Sequence, residues 1–270
     1  MMVDVSDWSL PGRPVIGILH PGAMGAALGS ALKARAGAVI WADAGRSQAT
    51  SKRAELADLV AVPDVGELAR RAHVVISICP PGAALDVAGQ VAEAVAGQDR
   101  IPLYVDANAV SPATVAAIGA LFPDDAVVDG AVIGPPAWEA GTTVLWLAGR
   151  HAATVEALFA GTPFTARTLG PEPGTASALK ACFALQSKAL PAIWLALDEA
   201  ARILGVDGPL REELARTGVD YPAELGAVAA RAKEKGWRWV AEMEEAADAL
   251  AAAGVPDGFS RAAAEMYRRA

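Results

Sequence analysis

The sequence predicts an α/β chain: a doubly wound, mainly parallel sheet in the N-terminal part, followed by an all-α C-terminal domain. Three observations carry that expectation. Short β-rich runs alternate with helix-like stretches up to about residue 148. Those runs are almost continuously apolar, as strands covered on both faces are. Past Thr175 the β-branched runs stop, and helix formers with apolar residues spaced near 3.6 take over to residue 269.

Taken in order, a loose lead-in ends at Pro11-Gly12, and "PVIGIL" (14–19) reads as the first strand. An amphipathic stretch over 23–35 follows as its helix. "AVIW" (38–41), "LVAV" (59–62) and "HVVISIC" (73–79) are the next strands, with a second amphipathic stretch over 83–96. "LYVDA" (103–107), "AVVDGAVI" (126–133) and "TTVLWLA" (142–148) complete the set. The character changes after "FTARTLGPEPG" (164–174), and Pro171 to Gly174 mark a boundary. Residues 13–170 are expected to form the sheet domain and residues 171–270 the helical one.

Composition narrows the function classes. Hydrophobic residues make up 53% of the 270 and charged residues 20%, the balance of an ordinary globular protein. With 23 basic against 31 acidic residues, net −8, and no basic cluster, nucleic acid or an anionic membrane is not expected as the main partner. No run of about 20 apolar residues exists to span a bilayer. "MMVDVSDWSL" lacks the basic start and long apolar stretch of a secretion signal, so a cytoplasmic location is the default expectation. Cys79 and Cys182 lie in apolar runs and read as two buried thiols in a reducing compartment rather than a disulfide. His20, His73 and His151 are scattered and the acidic residues lack ligand spacing, so no metal is expected.

"GILHPGAMG" (17–25) is the segment richest in chemistry. The strand–loop–helix glycine pattern G-x-G-x-x-G appears here as His20-Pro21-Gly22-Ala23-Met24-Gly25. Gly22 lets the backbone approach a pyrophosphate, and Gly25 lets the helix pack closely on the strand. The helix start offers unbonded N–H groups and the positive end of its dipole. His20 replaces the first glycine; the following proline pushes it toward extended angles, and histidine tolerates a positive φ where one is needed. The loop is therefore expected to hold a dinucleotide, the alternative being a tight turn without ligand. After the second strand, Asp43 lies where an acidic residue would favour NAD. Arg46 and Ser47 follow at once and can pair with a 2′-phosphate, so NADP is the expected cofactor and NAD the alternative.

Five segments in order resemble the β-hydroxyacid dehydrogenase superfamily, which includes 6-phosphogluconate dehydrogenases and imine reductases. "GILHPGAMG" resembles its G-x-G-x-M-G segment, and "VVISICPPGAALDV" (74–87) the strand and proline loop beneath the nicotinamide ribose. "VDANAVSPAT" (105–114) is similar to its D-x-S-T-x-x-P segment. "VDGAVIGPPAWEAGTTVLWLAG" (128–149) is similar to D-A-P-V-S-G-G…A-x-x-G-T-L, and "GTASALK" (174–180) to G-x-G-x-x-x-K. "ALKACFALQSKAL" and "WRWVAEMEEAADALAAAGVPDGF" resemble the subgroup whose C-terminal domain is a domain of unknown function. The resemblance implies a Rossmann-like N-terminal domain, a helical C-terminal domain, a homodimer and a small-molecule substrate. It implies hydride transfer between a nicotinamide and a hydroxyl or carbonyl carbon, with Cys79, Pro80 and Pro81 near the cofactor.

Hydride removal from an alcohol needs a group to take the hydroxyl proton. Lys180 matches the superfamily's catalytic lysine; the alternative is a lysine snorkelling at a helix start. Asn108, at the end of the fifth strand, stands where serine and threonine are commoner and is a candidate to touch cofactor or substrate, its alternative being a cap near Ser111. Ala184 replaces the family's asparagine one turn after the lysine. Ser187 and Lys188, at i+7 and i+8, share the Lys180 face of a regular helix and could serve a substrate, and Pro191 is expected to kink that helix. Gly134 and Pro135, with Pro136, replace S-G-G, so a carboxylate nest of backbone N–H groups is weakened there. Glu242 is a further candidate for the substrate, or could pair with Arg238; Trp237, Trp239 and Met243 read as core or dimer packing. The leading reading is an NADP-dependent oxidoreductase on a small hydroxylated or keto substrate. An imine reductase, whose members resembling this chain carry aspartate or tyrosine at the Lys180 place, and a non-catalytic NADP(H)-binding protein are the alternatives.

Overall fold

A computed structural model describes residues 9–123 and 125–270, and the chain divides into two compact units that meet at Lys180 and Ala181. Among the described residues eight strands build the first unit: β1 (Val15–Leu19), β2 (Ala38–Ala42), β3 (Val60–Val62), β4 (Val74–Ser77), β5 (Leu103–Asp106), β6 (Val127–Ile133), β7 (Val144–Ala148) and β8 (Thr165–Gly170). They form one sheet in the order β3-β2-β1-β4-β5-β6-β7-β8. The six strands from β3 to β6 run parallel; β7 is antiparallel to β6, and β8 is parallel to β7. The connecting helices are α1 (Ala23–Leu32), α2 (Gln48–Leu56), α3 (Val65–Arg71), α4 (Ala84–Val95), α5 (Pro112–Gly119) and α6 (Ala152–Leu158).

Alternation along the strands divides the core between two faces. Ile16, Ile18, Val74, Ile76, Leu103 and Val105 pack on one side with Leu28 and Leu32 of α1. Val75 and Tyr104 point to the other, where Leu68 of α3 and Val87 and Val91 of α4 meet them. Each such side chain contributes about 1.5–3 kcal/mol by leaving water. Gly17 is needed for this packing, since a Cβ there would lie 2.9 Å from Leu68 Cγ. Because β1 has β2 on one side and β4 on the other, the winding reverses at β1. The carboxyl ends of β1 and β4 border the crevice in which sheets of this winding bind ligands.

Two features of this unit differ from the sequence expectation. β8 falls within 164–174, where no strand is read from the sequence. Its residues, TARTLG, are mostly exposed, so no buried face leaves a pattern, and pairing with β7 makes the strand. The division between units also lies at Lys180 rather than near residue 171. The reason is α7 (Thr175–Ala184), whose first turn is hydrogen-bonded to the Asp129 side chain on β6.

Beyond Ala181 the chain is helical, as the sequence suggests. A five-residue π turn, Leu185–Ala189, leads into α8 (Leu190–Leu204), α9 (Asp207–Arg216), α10 (Tyr221–Ala252) and α11 (Gly258–Arg269). The core of this unit is built on small residues, among them Ala184, Ala189, Ala232, Ala246 and Ala263, around buried Met243 and Tyr267. Trp239 packs against this core, its ring edge-on to Tyr267 at 5.0 Å. Trp237 is exposed and does not join it; two residues on a helix are about 200° apart, so both cannot face one core.

At Pro191, where the sequence suggests a kink, the helix widens into the π turn just before the proline. Pro191 follows that turn within a continuous helical run and has no N–H to donate to the turn behind it, while Leu190 N–H donates to Leu185 C=O across the wide turn. The thiols differ from expectation too: Cys79 is buried, whereas Cys182 is exposed on α7. Among the described residues no helix is long and apolar enough to cross a membrane.

Candidate functional site

The loop after β1 is held by its own backbone. His20 adopts φ +64°, the left-handed region, not the extended angles expected before proline. Its carbonyl accepts from Gly22 N–H at 2.7 Å, turning the chain sharply into α1. The conformation is the one that favours glycine at the first position of such loops, at a cost to a side-chain-bearing residue of roughly 1–2 kcal/mol. Gly25 is held by close approach: a Cβ there would stand 2.5 Å from His20 O. The first α1 hydrogen bond runs from Ala26 N–H to Gly22 C=O, so the amides of Ala23, Met24 and Gly25 precede the helical ladder. No side chain caps this end and no acidic residue stands in its first turn, which suits an anion.

His20 also lines a cavity of about 540 Å³ together with Ala42, Arg46, Gly66, Gln90 and Ala94. The volume lies within the range of small-ligand sites. Among the described residues, buried Arg46 Nε and buried His20 Nδ1 have no hydrogen-bond partner. Burial, then the Arg46 guanidinium, lowers the His20 imidazole to about 4. Ser47, by contrast, caps α2, its Oγ accepting from Thr50 N–H at 3.3 Å. Asp43 accepts from Ser51 Oγ at 3.2 Å.

Past β4, the Cys79 thiol is pushed up to about 11, chiefly by burial. Pro80 is exposed, and Pro81 opens a single 3₁₀ turn before α4. Asn108 is buried and ties this loop to β5. Its Oδ1 accepts from Cys79 N–H at 2.6 Å, and its Nδ2 donates to Ser77 Oγ at 3.1 Å and to Asp106 Oδ1. It does not cap α5; Ser111 does so itself, accepting from Thr114 N–H at 3.2 Å.

Lys180 is half-buried on α7, and its Nζ donates to the Val132 carbonyl of β6 at 2.9 Å. The anchor beneath it is Asp129, which sequence reasoning did not single out. Asp129 Oδ1 accepts from Ser177 Oγ at 2.6 Å, and Oδ2 from Gly174 N–H at 2.8 Å and Ser177 N–H at 3.0 Å. Burial raises this carboxyl above its usual range, and the bonds from Ser177 and Gly174 pull it back. The available signal was an aspartate inside the apolar run "AVVDGAVI", which must find donors if that strand is buried.

Gly134 follows β6 with φ +134° and, with Pro135, is exposed; Thr143 Oγ1 donates to the Pro135 carbonyl. In the helical unit, Lys188 Nζ and Glu242 carboxylate form an ion pair at 3.0 Å, both side chains largely buried. Glu242 therefore pairs with Lys188, on the π turn, rather than with Arg238 on its own helix. Ser187 Oγ donates to Phe183 C=O at 2.9 Å. The count that gives Ser187 and Lys188 the Lys180 face assumes a regular α-helix, and the π turn breaks it.

Residues 201–270 match a domain described as a domain of unknown function, DUF1932. An uncharacterised 28.5 kDa protein from Methanothermus fervidus is 33% identical over 174 residues, which span 64% of this chain and 65% of that protein. Among solved structures, the conserved protein MTH1747, described as similar to 3-hydroxyacid dehydrogenases, is 27% identical with a TM-score of 0.64, over 94% of this chain and 96% of that one. Mycobacterium tuberculosis 3-hydroxyisobutyrate dehydrogenase with L-serine shares the fold at 20% identity and TM-score 0.64, over 95% and 93% of the two chains. An imine reductase from Pseudomonas sp. shares it at 18% identity and TM-score 0.54 over 95% and 93%. Psf3, solved with NADP+, does so at 20% and 0.61 over 94% and 93%.

Proposed function

From a chain that carries a DUF1932 domain behind a sheet with the fold of 3-hydroxyacid dehydrogenases, we propose an NADP-dependent oxidoreductase that acts on a small hydroxylated or keto substrate. The observation that carries this reading is the loop at the winding reversal. Gly22 and Gly25 open a helix start to a pyrophosphate, and Arg46 lines the adjoining cavity. A guanidinium at that place suits the 2′-phosphate of NADP, to which it binds well. The NADP+ seen in Psf3 supports the choice of coenzyme.

Bound NADP(H) would accept or supply the hydride. The chain's own residues do the rest. Lys180 holds a proton at the substrate oxygen, taking it during oxidation and returning it during reduction. Its bond to Val132 C=O fixes where the ammonium sits, and Asp129 fixes the helix that carries it. Asn108, with both ends of its amide engaged, positions the Cys79 loop under the coenzyme. Cys79, Pro80 and Pro81 line that side. Pro135 and Pro136 cannot donate N–H groups to a carboxylate after Gly134, which favours substrates recognised by side chains there.

A homodimer is part of this reading. Leu190, Ile193, Ile203 and Leu204 on α8 are exposed, as is Trp237 on α10, and a second copy would remove them from water. The experiment that tests the function is a turnover screen of hydroxy acids, alcohols, ketones and cyclic imines with NADP+ and NADPH, followed at the nicotinamide absorbance. Oxidation of an alcohol, lost in Lys180→Ala, is the expected result. Reduction of imines alone would favour an imine reductase, and tight NADPH binding without any turnover a non-catalytic protein.

A further inference from the structure

The cavity beside β1 and β2 holds a second nitrogen base next to Arg46. Resting on the dinucleotide reading above, we propose that His20 is a ligand of the coenzyme's 2′-phosphate, shares it with Arg46, and takes up a proton as the phosphate enters. Affinity for the phosphorylated coenzyme would then rise as pH falls.

Three observations support this. His20 stands in a left-handed conformation that glycine holds more cheaply, so the imidazole is kept at a backbone cost. It lines the same cavity as Arg46, so imidazole and guanidinium border one space. Finally, the free imidazole is neutral near pH 7, because burial and the neighbouring guanidinium hold it at about 4.

A phosphate dianion between the two groups reverses that balance. It offsets the repulsion from Arg46 and attracts the imidazolium, so His20 gains a proton on binding. The other titratable groups facing the cavity are Asp64 at the start of α3 and Glu93 on α4. Asp64 is engaged by Glu67 N–H at 2.8 Å. Both carboxylates are the same in the parent and in variants at His20, so uptake that depends on His20 is not theirs. The Cys79 thiol, near enough to Arg46 to feel its charge, is neutral throughout this pH range.

Calorimetry of NADP+ and NAD+ binding at pH 7, in two buffers of different ionisation enthalpy, reads the protons exchanged. His20→Asn and His20→Gly are compared with the parent, because both residues accept a positive φ and neither titrates. The comparison is needed because the phosphate itself ionises near pH 6 and sheds its own proton toward Arg46. The parent is expected to take up roughly half a proton more than either variant with NADP+, and the same as the variants with NAD+. Equal uptake by parent and variants overturns the proposal while leaving the dinucleotide site standing. Equal His20-dependent uptake with both coenzymes overturns it as well, by moving the contact to the shared pyrophosphate. If the parent binds neither coenzyme, the reading beneath the proposal fails with it.

Discussion

Lys180 Nζ and the carbonyl of Val132 are joined by a 2.9 Å hydrogen bond, and three residues earlier on that same strand Asp129 binds the helix that carries Lys180. One strand thus sets both the height of the helix and the position of the amine. A lysine that only snorkelled to solvent would need neither. Replacing Lys180 by Ala is expected to lower kcat on an identified substrate by about 10²–10⁴-fold with coenzyme affinity within a few-fold of the parent. Steady-state kinetics and an NADPH titration on the same preparation check both halves.

Asp129 accepts three hydrogen bonds in a dry position, so its removal strands donors. Asp129→Ala leaves Ser177 Oγ and the amides of Gly174 and Ser177 without that acceptor. A loss of about 3 kcal/mol follows, or a fall in Tm of roughly 6–12 °C for a chain of this size. Calorimetric unfolding of Asp129→Ala beside Ser177→Ala, which removes one donor and should cost less, measures it.

These two residues also show what the sequence conveys. Seven of the eight strands, the glycine loop and the helical C-terminal part are legible because each has an apolar period or a fixed glycine spacing. β8 has neither, being mostly exposed, and appears only through its pairing with β7. Asp129 is visible as an oddity in a strand, but its partners Gly174 and Ser177 are 45 and 48 residues away. The π turn leaves no mark that separates it from a proline kink. The Lys188–Glu242 pair is hidden for the same reason, since it links two helices rather than neighbours on one.

Thiol chemistry separates the two cysteines. Cys79 is buried and held up to about 11, while Cys182 is exposed. Titration of the native protein at pH 8 with an aromatic disulfide is expected to modify Cys182 quickly, and Cys79 only on unfolding. Rapid reaction of both would contradict the buried Cys79 loop that Asn108 holds.

Acid sensitivity follows from His20. Its imidazole falls from 6.5 to about 4 in the folded chain, so the folded state binds fewer protons than the unfolded one across that window. The contribution is therefore fully present above 6.5 and is lost as pH drops through 4. Urea midpoints at pH 7 and pH 5 should differ less in His20→Asn than in the parent.

Coenzyme binding itself tests the central claim most directly. Titration of the purified protein with NADPH and NADH, followed by nicotinamide fluorescence, should show NADPH bound at least about tenfold more tightly, a gap of about 1.4 kcal/mol. Arg46→Ala should narrow that gap. Gly25→Ala, whose Cβ would press on His20 O at 2.5 Å, should weaken both coenzymes. Failure of the folded protein to bind either one would contradict the account.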